Sequence, residues 1–218
     1  MPDDVKTSTS RRRYSSAVRT EQAAATRSAV LEAAGELFAE RGYAGTPVSA
    51  IAARAGVAVD TVYAAVGRKP VLIRELLEAA ISGAGEAVPA EERDYVHRVR
   101  TAATAREKLA TYAAAVAAIG PRMAPVYRAL AEAALTDPDC AALRAEITSR
   151  RAANMRLLAA DLRSSGELRP DLTDDDVADV VWSMNAAEYW ALLVGERGWT
   201  PERFRDWLTD CWTRALLA

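Results

Sequence analysis

The sequence predicts an all-α fold of about nine helices, a three-helix head followed by a longer helical body. Three observations predict it. Apolar residues recur at helical spacing along most of the chain, and no segment reads as a convincing strand. Ala is abundant while aromatic residues make up 6%, a composition that favours close helix packing over sheet. The breaks between periodic stretches carry Gly, Pro, Thr or Asp where helix ends need them.

In chain order, residues 1–18 are polar and aperiodic, contain Arg11, Arg12 and Arg13, and read as a disordered basic arm. From Glu21 the pattern turns helical, with Val30, Leu31, Ala34, Leu37 and Phe38 on one stripe and Gly42 as the stop. Thr46 reads as an N-cap and Pro47 as the first residue of a short helix whose inner face is Val48, Ile51, Ala52 and Ala55. Gly56-Val57-Ala58 interrupts it, and a second short helix follows over 59–65, inward at Val59, Val62 and Val66. After Gly67 a helix resumes over 69–82, with Leu72, Ile73, Leu76 and Leu77 inward. Residues 86–103 suggest only a short helix at 91–98. Thr104 caps a helix to about 118, stopped by Gly120-Pro121, and another covers 122–135. Asp137-Pro138 opens a long helix to 164. Thr173 with Asp176 forms a capping box for a helix to 196, and Thr200-Pro201-Glu202 opens the last, to 217.

Length and composition narrow the class. The 218 residues allow one large domain or two small ones with a real core. No apolar run reaches the roughly eighteen residues of a membrane span, and residues 1–10 lack the apolar region of a signal peptide, so a cytoplasmic protein without membrane contact is expected. Cys140 and Cys211 have no metal-ligand spacing and fit free thiols. There is no Gly-rich phosphate loop, no His/Cys metal set and no nucleophile paired with His97, the single histidine; neither enzyme chemistry nor a cofactor is expected. The charge is uneven. Residues 1–70 carry 10 Lys and Arg against 7 Asp and Glu, net +3, and the remainder 18 against 23, net −5, giving the chain its −2. A basic front on an acidic body suits a protein that meets phosphate at one end only.

The short helices around Gly56-Val57-Ala58 carry the functional signal. Gly fits where the chain leaves helical geometry, Ala52 is small where two helices touch, and Val57 and Val62 hold the second helix on the first. This is the pattern of a helix-turn-helix over 47–66, in which the second helix enters the major groove of double-stranded DNA. Over residues 29–77 the sequence resembles the TetR family of one-component transcriptional regulators. The resemblance rests on Phe38, Gly42-Tyr43, Thr46-x-Val48, Ile51-Ala52, Ala55-Gly56-Val57, Thr61-Val62-Tyr63 and Lys69. Val66 departs from the aromatic residue usual in the family, leaving a smaller plug under the second helix.

The resemblance implies a helix-turn-helix domain at 19–67 and an effector-binding and dimerisation body at 68–218. It places Thr46, Tyr63 and Lys69 at phosphate-contacting positions, and Val59, Asp60, Thr61 and Ala64 at the bases. Asp60 is the distinctive polar residue. Its carboxylate can accept from cytosine N4, or simply sit well in the first turn of a helix. Arg11 to Arg13 offer a minor-groove arm or a solvated tail.

In the body, the helix beginning at Thr173 is apolar on two sides: Val177, Val181, Met184 and Ala191 on one, Ala178, Trp182, Asn185, Tyr189 and Leu192 on the other. The last helix carries Phe204, Trp207, Leu208, Cys211, Trp212 and Ala215 on one stripe. These last two helices are the expected homodimer interface. Candidate lining for a small apolar or aromatic effector is Tyr112, Val116, Met123, Tyr127, Asn154, Met155, Trp182, Asn185 and Tyr189, with the two asparagines needing partners from ligand or protein. The expected function is a ligand-responsive repressor on a palindromic operator. The competing readings are a helical binding protein with an idle DNA head and, further off, an all-α enzyme.

Overall fold

The computed structural model describes residues 8–83 and 88–218, with side chains from residue 19 onward. Its helices are α1 (Ser8–Arg41), α2 (Val48–Ala55), α3 (Val59–Ala65), α4 (Lys69–Ser82), α5 (Asp94–Thr101), α6 (Ala105–Ala133), α7 (Pro138–Arg163), α8 (Asp174–Met184), α9 (Ala187–Trp190) and α10 (Pro201–Leu216). A 3-10 turn, Ala90–Glu92, precedes α5, and a π-helical segment, Ala191–Glu196, follows α9. Among the described residues the only β pairing is a single bridge, Leu168 with Leu217. No single helix is long and apolar enough to cross a membrane. The chain divides into two compact units, Met1–Leu72 and Ile73–Ala218, so the first turn of α4 belongs with the head.

In the head, α1, α2 and α3 pack on one another. Val30, Ala34, Leu37 and Phe38 of α1 are buried, as are Ile51 and Ala52 of α2 and Val62 of α3. Each fully buried large side chain contributes about 1.5–3 kcal/mol from burial. α2 ends at Gly56, which takes φ 68°, ψ 30°. Its N–H donates to the Ala53 carbonyl and the Val57 N–H to that of Ala52, closing the helix end. A Cβ at Gly56 would meet nothing within 4 Å, so glycine is needed there for its backbone angle and not for space. The turn sets α3 at 92° to α2.

Residues 8–18, read from sequence as part of a disordered arm, are instead the opening turns of α1. No Gly or Pro separates them from the stripe at Val30, and extending a formed helix costs far less than nucleating one. Residues 1–7, and the side chains of Arg11 to Arg13, lie outside the described residues.

In the body, α6 packs against α5, α7, α9 and α10, and α7 against α8. Local caps begin the long helices. Thr104 and Glu107 form a capping box on α6, and Asp137 accepts from the Asp139 and Cys140 N–H groups on α7. Thr173 and Asp176 form the box on α8, and Thr200 accepts from the Arg203 N–H on α10. Lys108, 5% exposed, caps the far end of α5 by donating to the Val99 and Arg100 carbonyls, and pairs with Asp161 at 2.9 Å.

Two sequence expectations fail here for physical reasons. Gly120-Pro121 does not stop a helix: α6 runs through Gly120, Pro121 and Pro125. Each proline forfeits one helical hydrogen bond, and the packing of α6 on its neighbours outweighs the loss. Nor does one helix span 173–196. α8 ends at Met184, Ala186 is extended, and the chain restarts as α9. The apolar stripe of the last helix also divides. Phe204, Leu208 and Trp212 are wholly buried inside the body, whereas Trp207, Cys211 and Ala215 are half-buried.

Candidate functional site

On α3 only Val62 is buried, and it anchors the helix. Val59 (38% exposed), Asp60, Tyr63 (47%) and Ala64 share the opposite, solvent-facing side, with Thr61 half-buried between them. Val59 thus points outward, contrary to its inward placement by periodicity, because α3 is so short that Val62 alone suffices to seat it. Asp60 lies in the first turn and makes no hydrogen bond or ion pair among the described residues, leaving its oxygens able to accept. Arg27 of α1 donates to the Ala65 carbonyl at 3.0 Å, a cation at the C-terminal end of α3. Lys69 donates to the Tyr43 carbonyl at 2.6 Å and lies 3.7 Å from the centre of the Tyr43 ring, which stacks on Phe38. These contacts hold α3 and the start of α4 on α1 before any ligand arrives.

Thr46 is placed differently from the sequence expectation. It is fully buried, and its hydroxyl is directed at the Gly42 and Leu37 carbonyls, 2.8 and 3.1 Å away. Pro47, not Thr46, is the residue before α2, and no side chain caps that helix. The threonine is a tie at the end of α1, its hydroxyl engaged by backbone carbonyls. Thr46→Val should therefore cost about 1–2 kcal/mol of head stability, read by thermal melting, through loss of a buried hydrogen bond. Well below the melt, the salt dependence of DNA affinity should not change. A shallower salt slope would restore Thr46 as a phosphate contact.

The body contains a cavity of about 240 Å³, open on one side to solvent past the exposed Glu91, Arg100 and Leu157. Of the sequence-predicted lining, Tyr112, Val116, Met123 and Tyr127 of α6, Asn154 and Met155 of α7, and Asn185 between α8 and α9 come together there. Trp182 and Tyr189 do not. The expectation assumed one continuous helix, which would stack 185, 189 and 192 on one face. The break at Ala186 swings Tyr189 out to 37% exposure against Trp207, their ring centres 5.7 Å apart. Trp182 lies beneath the Arg151 guanidinium, 5.1 Å from its ring centre, and is not part of the wall.

Asn185 receives protein partners. Arg151 donates to its Oδ1, and its Nδ2 donates to the Tyr112 hydroxyl at 2.7 Å. Tyr112 stacks between Tyr95 and Trp212, with ring centres 6.4 and 5.7 Å away. Burial, reinforced by Tyr95, pushes the Tyr112 phenol well above its ordinary value against the opposing pull of Arg151, so it stays a protonated donor. Sequence reasoning missed Arg151, Arg150, Arg93 and Tyr95 in this wall. The spacing of Arg151, Asn154 and Met155 at i, i+3 and i+4 was a signal for the first of them, overlooked because an apolar wall was sought.

A right-angled helix pair with a solvent-facing second helix defines a helix-turn-helix DNA-binding head, here joined in one chain to a helical body with a small-molecule-sized cavity. Residues 30–76 match the family model described as bacterial regulatory proteins, tetR family. No curated protein matches the chain. Among solved structures, NalD of Pseudomonas aeruginosa, the secondary repressor of the MexAB-OprM multidrug efflux pump, is similar with TM-score 0.68 at 18% identity, over 90% of this chain and 98% of that one. The SmeT–triclosan complex gives TM-score 0.69 at 16% identity, over 89% and 92%. A Saccharomonospora viridis protein assigned as a transcriptional regulator, solved with choline, gives 0.66 at 19% identity, over 88% and 97%. Residues 30–76 thus resemble the tetR-family DNA-binding domain, and the chain shares the all-α fold of these solved structures.

Proposed function

We propose that the protein is a ligand-responsive transcriptional repressor that binds a palindromic operator as a homodimer. The observation that carries the reading is the outward face of α3, with Val59, Asp60, Tyr63 and Ala64 presented at 92° to the supporting helix. Each subunit would lay α3 in a major groove, the two half-sites lying about one helical turn apart or slightly more. Tyr63 and Lys69 would meet phosphates. Val59 and the Thr61 methyl would meet thymine methyls, Ala64 would allow close approach, and Asp60 would accept from cytosine. Few long polar side chains face outward, so groove shape would supply part of the specificity.

The dimer would form through α8 and α10, whose remaining half-buried residues include Val180, Met184, Trp207 and Cys211. An effector in the cavity would touch Leu77 and Ile81 of α4, the helix that begins at Lys69. Unequal affinity for two α4 positions would then couple effector to DNA. That NalD is a repressor, and that two neighbours were solved with small molecules, supports this reading. The reading includes no catalytic step and no cofactor.

The test is selection from a random duplex pool by the purified protein, followed by sequencing. Two inverted half-sites should emerge; no enrichment, or a single unrepeated half-site, contradicts the proposal. In the same selection Asp60→Ala should change the preferred base at one position per half-site while total affinity shifts less than about tenfold. A uniform loss over all sequences would remove Asp60 from base reading.

A further inference from the structure

We infer that the effector is an organic carboxylate, an apolar or aromatic body bearing one anionic group that Arg151, Asn154 and Tyr112 receive. This deepens the ligand-responsive reading and rests on it. Arg151 is half-buried in the cavity wall and has no carboxylate partner among the described residues. Its donors go to neutral acceptors, the Asn185 side-chain oxygen and the Trp182 carbonyl, and the Trp182 ring lies beneath it. The neighbouring charges have carboxylate partners: Arg93 and Arg150 share Glu78, which leaves that trio one positive charge in excess, and Asp161 pairs with Lys108. The exposed side chains of Glu91 and Arg100 carry opposite charges. Arg151 is thus a guanidinium set in a largely apolar wall without its counter-ion, an arrangement that favours an incoming anion.

Two further groups lack a good partner at the same place. Asn154 sits one helical turn from Arg151 on α7, half-buried, with no hydrogen bond among the described residues. Tyr112 accepts from Asn185, but its own O–H finds only the Met155 thioether at 3.6 Å, a weak acceptor. Asn185 bonds both Arg151 and Tyr112, so the two donors stand one amide apart. An ammonium in this position would meet Arg151 with like charge, and a neutral apolar molecule would leave the N–H and O–H groups unanswered. A carboxylate answers all three, while Val116, Ile119 and Met123 of α6 take the apolar body.

The experiment uses the full chain and matched probe sets: carboxylate, primary amide and trimethylammonium forms of phenylpropyl, naphthylmethyl and octyl bodies, titrated by calorimetry. Binding should favour the carboxylate by at least about tenfold over its amide and ammonium counterparts. Arg151→Gln should erase that preference while leaving amide affinity unchanged, and Arg151→Lys should keep part of it. Equal or tighter binding of amide or ammonium by the unmodified protein overturns the inference, as does a carboxylate preference that survives Arg151→Gln. Should Arg151→Gln fail to fold, Asn154→Ala must reduce the preference for the inference to stand. If amide or ammonium forms bind best and release operator DNA, the carboxylate class fails while the ligand-responsive reading survives. If no probe binds, both fail.

Discussion

Replacing Gly120 by alanine is expected to lower the melting temperature of the body by several degrees, and replacing it by leucine to prevent that unit from folding. A Cβ at Gly120 would fall 2.3 Å from the Cδ2 and Cε3 atoms of Trp190 and 2.8 Å from Cε2. The indole has little freedom to retreat. It is buried and meets the fully buried Phe204 ring edge-on, 5.2 Å away at 81°. Alanine gains about 1 kcal/mol of helix propensity over glycine. Overpacking a well-filled core costs about 1–3 kcal/mol and more when the neighbour is pinned, so the clash wins. A net loss of about 1–2 kcal/mol corresponds to roughly 2–4 °C per kcal/mol in a unit of this size. Thermal melting of Gly120→Ala, Trp190→Ala and the pair gives the coupling directly: the double variant should melt higher than the two single losses predict. A stabilised Gly120→Ala would show that the close approach is not a constraint.

The second large effect is expected in the head. Val62→Asp should abolish DNA binding while the body keeps its melting transition and its ligand affinity. Val62 is the single buried residue of α3 and is completely shielded from solvent. An unpaired carboxylate in that position costs several kcal/mol, more than a seven-residue helix resting on one side chain can absorb. Val62 belongs to the first compact unit, and the body is the second. Mobility-shift titration beside probe binding checks both halves, and a variant that still retards DNA would show that α3 does not need this anchor.

What could be read from sequence depended on how local its cause was. The caps at Thr104, Asp137, Thr173 and Thr200 act within three residues and stand where the sequence placed them. Gly56 was equally legible, since its reason is its own backbone angle. Thr46 carries the same local signal, yet its hydroxyl is claimed by carbonyls at the end of α1. Gly120 and Pro121 look like a stop because the cause of the glycine is an indole seventy residues further on. The break after α8 has neither Gly nor Pro to announce it, and it turned Tyr189 away from a cavity that its spacing seemed to favour. The rest of that wall was found because α6 and α7 are regular, so helical spacing transfers directly to shared faces. Arg151 was not legible because a cation is unexpected in an apolar wall, and the structure places no carboxylate partner on it among the described residues.

On the proposed function, α3 reads a specific DNA sequence. The most direct measurement is an anisotropy titration of labelled duplex, comparing the selected palindrome with a scrambled duplex of equal length at several salt concentrations. The palindrome should bind saturably, at two chains per duplex, and at least about a thousandfold more tightly than the scrambled control, with affinity falling as salt rises. Equal affinity for both duplexes, or none for either, would contradict the account.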